Sequence, residues 1–184
     1  MGPLTAGTLG GFISGTFTLS GVLLAYTLGQ RRARAETVTE ARRAGMAVLV
    51  ELVHNAGLAL SAMDTGVVHE FSNSAWRQQV QVLARIFDWS TLRSIESSYE
   101  GARRLFDACH GGGAEAKSID TANTEQLATC GDVAENLLKS AREICPVLLS
   151  EKEQAAFNAD LDMMLKRAEA AHSPRPSSPS PMLF

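Results

Sequence analysis

The chain has 184 residues, 45% of them apolar and 6% aromatic, with a formal net charge of -3. That length holds one ordinary domain plus an additional element, and the near-neutral charge excludes nucleic-acid binding by bulk electrostatics. Ala, Leu, Glu and Arg are plentiful and aromatic residues scarce, a balance that favours helix over sheet.

Charge is unevenly distributed. Met1 to Gln30 contains no Lys, Arg, Asp or Glu. Its apolar stretch, from about Leu4 to Leu28, exceeds the roughly 20 residues a helix needs to cross the hydrocarbon layer. Phe12, Ile13, Phe17, Leu19, Val22, Leu23 and Leu24 favour transfer into lipid, while the intervening Gly and Thr residues keep the span only moderately hydrophobic. We read residues 1–30 as a transmembrane anchor. A cleaved secretory signal would carry Lys or Arg ahead of its apolar core, and none is present. Gly7, Gly11 and Gly15 recur at every fourth position and share one helix face. Such spacing lets two helix backbones approach closely in lipid, so the span is a candidate surface for a homo-oligomer, the alternative being that the glycines match the motif by accident.

Arg31, Arg32, Arg34, Arg42 and Arg43 follow the span, opposed only by Glu36 and Glu40. Cationic flanks stay on the cytoplasmic side, which places the N-terminus outside the inner membrane and the remaining chain in the cytoplasm. The same arginines can attract anionic headgroups, at about 1 kcal/mol per charge near the surface, making membrane lipid an expected partner. Cys109, Cys130 and Cys145 are odd in number and lack a disulfide-framework spacing, as suits a reducing compartment.

Residues 31–171 read as an all-α, up-and-down bundle of about five helices with no strand. The first helix continues from Arg31 to about Asp64. One apolar stripe on it runs Val38, Ala41, Gly45, Val48, Leu52, Asn55, Ala59, Ala62; a second runs Met46, Leu49, Val53, Ala56, Leu60, Met63. Thr65-Gly66 marks a turn, and Ser72 or Ser74 is the expected cap of a helix carrying Trp76, Val80, Leu83 and Phe87. Asp88 or Ser90 caps a third, with stripe Leu92, Ile95, Tyr99, Ala102, Phe106 and Cys109. His110-Gly111-Gly112-Gly113 opens a flexible connection. The fourth helix, from about Thr121, carries Leu127, Cys130, Ala134, Leu137, Ala141 and Ile144, and Pro146 is expected to end or kink it. Ser150 with Glu153 forms a capping box for a fifth, with stripe Phe157, Leu161, Met164 and Ala168. Residues 172–184 are rich in Ser and Pro and are expected to be disordered. Anchor, Arg-rich exit and Ala/Leu-rich helices together resemble bacterial single-pass proteins in general pattern, without the motif of a named family.

No reactive constellation emerges, so no catalytic, cofactor-binding or metal-ligating residue is assigned. His110 and its glycines would suit an oxyanion loop, but that chemistry needs a G-x-S-x-G elbow on a strand, and neither exists. His69-Glu70 lacks a second His one turn later, and no phosphate-binding glycine loop is present. The most informative polar group is Glu51, His54 and Asn55, with Asn55 in the middle of an apolar stripe. A buried amide must find a partner or cost about 1–3 kcal/mol. A structural hydrogen bond to a facing helix, with Tyr99 as candidate partner, is the expectation; a ligand pocket or enzyme site at Glu51, Asn55 and Tyr99 is the alternative. The function expected is that of a membrane-anchored protein-interaction module with an unidentified protein partner. A pore-forming oligomer fits the large bundle less well.

Overall fold

A computed structural model describes the backbone of residues 5–110 and 124–171, and the side chains of these residues except 5–26, 31–34 and 124. Among the described residues there are five helices and no strand: α1 (Thr5–Thr65), α2 (Ser74–Leu83), α3 (Trp89–His110), α4 (Thr124–Leu148) and α5 (Glu151–Ala170). The glycine connection after His110 and the Ser/Pro tail lie outside the described residues, as do the surroundings of Gly7, Gly11 and Gly15. Chain contacts define two units, Met1–Glu40 and Ala41–Phe184. The packing below belongs to the second.

Within α1, both sequence stripes are inward from Ala41 on. Ala41, Gly45, Val48, Leu52, Asn55, Ala59 and Ala62 are all buried, and Leu49, Ala56, Leu60 and Met63 join them. Val38, at the head of the first stripe, is instead 60% exposed, because the buried face starts one turn later. Among the described residues one stretch, Thr27–Thr65, is long and apolar enough to cross a membrane by length and composition, with mean hydropathy 1.5 in its most apolar window. Half of that window is buried inside the protein, as expected of a core helix.

Specific contacts fix the direction of each element. Thr91 Oγ1 donates to Glu143 Oε1 at 2.8 Å, and Ser98 Oγ donates to the Asn136 carbonyl at 3.1 Å, so α3 and α4 are antiparallel. Arg42 Nε donates to the Leu148 carbonyl at 2.7 Å, placing the end of α4 beside the start of the buried part of α1. From there α5 runs alongside α1 until Arg167 meets Asp64 in an ion pair. The remaining descent is made by two pieces. Gly66, at φ 70, ends α1 in the left-handed conformation that glycine adopts without a Cβ penalty. Residues 66–73 then travel back along α1, and α2 completes the path. Eight residues span at most about 26 Å when extended, enough to return past ten to fourteen helical residues at 1.5 Å each. Chain direction thus alternates through the bundle.

The starts of α3 and α5 follow local chemistry. Asp88 Oδ1 accepts the Thr91 N–H at 2.8 Å, and Glu153 Oε2 accepts the Ser150 N–H at 2.9 Å. Pro146 does not end α4, which runs on to Leu148. Its missing N–H deprives only the carbonyl of Arg142, an exposed residue whose backbone oxygen can turn to solvent.

At Gly45, α1 lies close against Leu148 of α4. A Cβ built there would overlap a terminal methyl of Leu148, itself 1% exposed. Gly45→Ala is therefore expected to lower stability by about 1 kcal/mol, an overpacking cost of about 1–3 kcal/mol exceeding the roughly 1 kcal/mol that alanine gains in a helix. Denaturant midpoints of Gly45→Ala, Leu148→Ala and the double variant check this. A double variant no better than the sum of the singles would mean that the two residues do not compete for one space.

Candidate functional site

The central polar feature is a carboxylate buried on an otherwise apolar helix face. Glu51 is 8% exposed and sits one turn before Asn55, which is fully buried. Its Oε1 accepts from Ser72 Oγ at 2.6 Å, Ser74 Oγ at 3.2 Å and the Ala75 N–H at 3.1 Å. Its Oε2 accepts from the Trp76 N–H at 3.2 Å and the Tyr99 hydroxyl at 2.8 Å. Five donors from three parts of the chain converge on one side chain.

Physically this is a helix cap supplied from outside. The first N–H groups of a helix have no intrahelical acceptor and carry partial positive charge. Asn73, the residue preceding α2, makes no side-chain capping bond. Glu51 takes that role with a full negative charge, the stronger kind of hydrogen-bond acceptor. Burial alone would raise its carboxyl pKa, but the Ser72 hydroxyl, the Ala75 N–H, the Tyr99 hydroxyl and the Trp76 N–H together hold it below the ordinary 4.5. The Tyr99 hydroxyl moves the other way: burial, the bond to Glu51 and its negative charge all keep the phenol protonated. The Tyr99 ring also stacks on Trp76 at 6.1 Å between centroids, so one pair of aromatic residues joins α2 to α3.

Asn55 completes the arrangement one turn further on. Its Nδ2 donates to the Ser72 carbonyl at 2.6 Å, and its Oδ1 accepts the Ser72 N–H at 3.1 Å. An amide side chain thus pairs with a backbone peptide as a neighbouring strand would, satisfying both groups of an irregular segment. His54 takes no part. It is exposed, four residues after the exposed Val50 and on the same outward row of α1, where the sequence reading had grouped it with buried Glu51 and Asn55.

Of the residues singled out by sequence, the structure joins Glu51 to Tyr99 directly and to Asn55 through Ser72, and leaves His54 outside. Arg42 and Arg43 are exposed; the side chains of Arg31, Arg32 and Arg34 lie outside the described residues. Ser72 and Ser74, expected as local caps, both donate to Glu51, and Ser72 Oγ also accepts the Ser74 N–H at 3.4 Å. Local capping rules look three residues ahead, whereas this cap lies more than twenty residues upstream. An open groove of about 230 Å³ runs along the outer side of this network, lined by Ser72, Asn73, Arg77, Tyr99 and Arg103 among others. It touches Tyr99 but reaches neither Glu51 nor Asn55.

The cysteines behave as core atoms. Cys130 and Cys145 are fully buried and Cys109 is half-buried. Burial pushes the thiols of Cys130 and Cys145 up to about 11, which keeps them protonated and unreactive near neutrality. Among the described residues no group of three metal-ligating side chains comes together, and one buried side-chain polar atom, Asn158 Oδ1, has no partner. Comparison of the chain with protein-family models, with curated proteins and with solved structures finds no match, so the geometry above stands without a relative to interpret it.

Proposed function

We propose that the chain is a membrane-tethered helical module that acts through protein contacts, with residues 1–30 as a single span and residues 31–171 as a bundle on the cytoplasmic side of the inner membrane. The observation that carries this reading is the charge-free run from Met1 to Gln30 followed at once by Arg31, Arg32 and Arg34. Support for a contact role, rather than a ligand site inside the bundle, comes from Glu51 and Asn55, whose polar atoms are used on the protein's own backbone and hydroxyls. Gly7, Gly11 and Gly15 supply a surface for self-association within the span.

Crosslinking of the intact chain in membranes, read by mass spectrometry, tests this directly. The expected result is retention in the membrane after alkaline carbonate washing, with crosslinks to a second copy or another protein. Substituting Gly7, Gly11 and Gly15 by leucine is expected to abolish the self-crosslinks. Release by carbonate would remove the tether from the reading. A membrane-retained chain with no crosslink of either kind would remove the contact role.

A further inference from the structure

Capping α2 from outside leaves its own cap residue unused. An asparagine just before a helix ordinarily turns its side-chain oxygen onto the second or third N–H, here those of Ala75 and Trp76. Glu51 holds both, and the half-buried side chain of Asn73 makes no hydrogen bond among the described residues. Asn73 borders the open groove of about 230 Å³ instead, and also a depression of about 220 Å³ beside it. Arg77 from α2, with Tyr99 and Arg103 from α3, borders both as well, so the two form one groove. Arg77 has no acidic partner among the described residues, and Arg103 has only exposed Asp107, at 3.4 Å.

We infer that this groove binds a small amino-acid-like zwitterion, with its carboxylate between Arg77, Arg103 and Asn73. Guanidinium forks match a carboxylate in shape and give charge-assisted hydrogen bonds, and a side-chain amide adds one more. A single exposed arginine gains little from an anion that water already solvates. Two from different helices, beside the buried and stacked rings of Trp76 and Tyr99, gain more. The surrounding charge decides the rest of the ligand. Four carboxylates, Glu70, Glu96, Glu100 and Asp107, border the groove against its two guanidinium groups. Asp107 pairs with Arg103 and Glu100 with Arg104, while Glu70 and Glu96 have no cationic partner among the described residues. A dianion such as phosphate is therefore disfavoured, whereas an ammonium group on the ligand answers Glu70 or Glu96. Each depression is smaller than the roughly 300 Å³ at which drug-sized sites begin, which suits a ligand of few atoms. The inference does not depend on the membrane tether.

Saturation-transfer NMR on the intact chain in micelles, with protein-free micelles as blank, reads the binding of L-leucine, acetate and inorganic phosphate. L-leucine is expected to bind saturably, and acetate and phosphate at least about tenfold more weakly. Arg77→Ala is expected to weaken L-leucine by about tenfold or more, and Asn73→Ala by a smaller factor. Arg77→Lys, which keeps the charge and loses the fork, should fall between the intact chain and Arg77→Ala. Either Glu70→Gln or Glu96→Gln should weaken L-leucine without weakening acetate. Arg93→Ala, exposed elsewhere on α3, should change nothing. The inference is overturned by an absence of saturable L-leucine binding, or by phosphate binding more tightly than L-leucine. Binding of L-leucine that survives Arg77→Ala, or that neither glutamate variant weakens, would overturn it equally.

Discussion

Glu51→Ala is expected to remove about 3–5 kcal/mol of stability, much of what a bundle of this size has in reserve. The side chain is buried but carries only two methylenes, so hydrophobic loss is small. The effect comes from what is left behind: the Ala75 and Trp76 N–H groups at the start of α2 lose their acceptor, and the Tyr99 hydroxyl is stranded in the core. Each buried donor without a partner costs about 1–3 kcal/mol. A denaturant titration of the intact chain in micelles, followed by circular dichroism, reads the change. A loss below about 1 kcal/mol would mean that water reaches these donors and that the cap is dispensable. The same carboxylate sets an acid limit. Its pKa is lower in the folded chain than the ordinary 4.5, so its stabilisation is fully present above that value and fades as the pH falls through the folded pKa. Glu51→Gln is expected to flatten the fall in stability below about pH 4.5, with the remaining slope owed to Asp88 and Glu153, whose carboxyls shift in the same direction.

Asn55→Ala is expected to destabilise by about 2 kcal/mol, less than the loss of Glu51 because exposed Ser72 can turn its freed peptide groups to water. Its informative partner is the double variant with Glu51→Ala. Both side chains hold the same returning segment, so once one is gone the other has less to hold. The double variant should be more stable than the summed single effects predict, by about 1–2 kcal/mol. Strict additivity would mean that residues 66–73 and α2 are held by other contacts and that the two polar side chains act separately.

Periodicity made the helices legible. The stripes through Leu52, Ile95, Leu137 and Leu161 all point inward, because a 3.6-residue repeat of apolar side chains has one way to avoid water. Asn55 and Glu51 were conspicuous for the same reason, being polar on a buried face. The sequence points to one of their partners and not to the others. It offered Tyr99 for the group as a whole, but Tyr99 bonds Glu51, while Asn55 bonds the backbone of Ser72. Backbone groups are the same at every position, so a side chain's choice among them leaves no mark in the sequence. Pro146, expected to end or kink α4, lets it run two residues further: one missing hydrogen bond at a solvent-facing carbonyl is a small loss beside the burial of Leu148.

The cap supplied by Glu51 also orders the folding of the chain. A helix of ten residues is too short to persist alone in water. The local cap of α2 is one long bond, from the Ser74 N–H to Ser72 Oγ at 3.4 Å, and its next two N–H groups depend on the Glu51 carboxylate. That carboxylate precedes it in the chain, so during synthesis the segment holding Glu51 and Asn55 emerges from the ribosome before residues 66–83. Each newly exposed stretch meets its template already in place, and a circular permutation that moved the first helix behind α2 would lose that timing while keeping every contact.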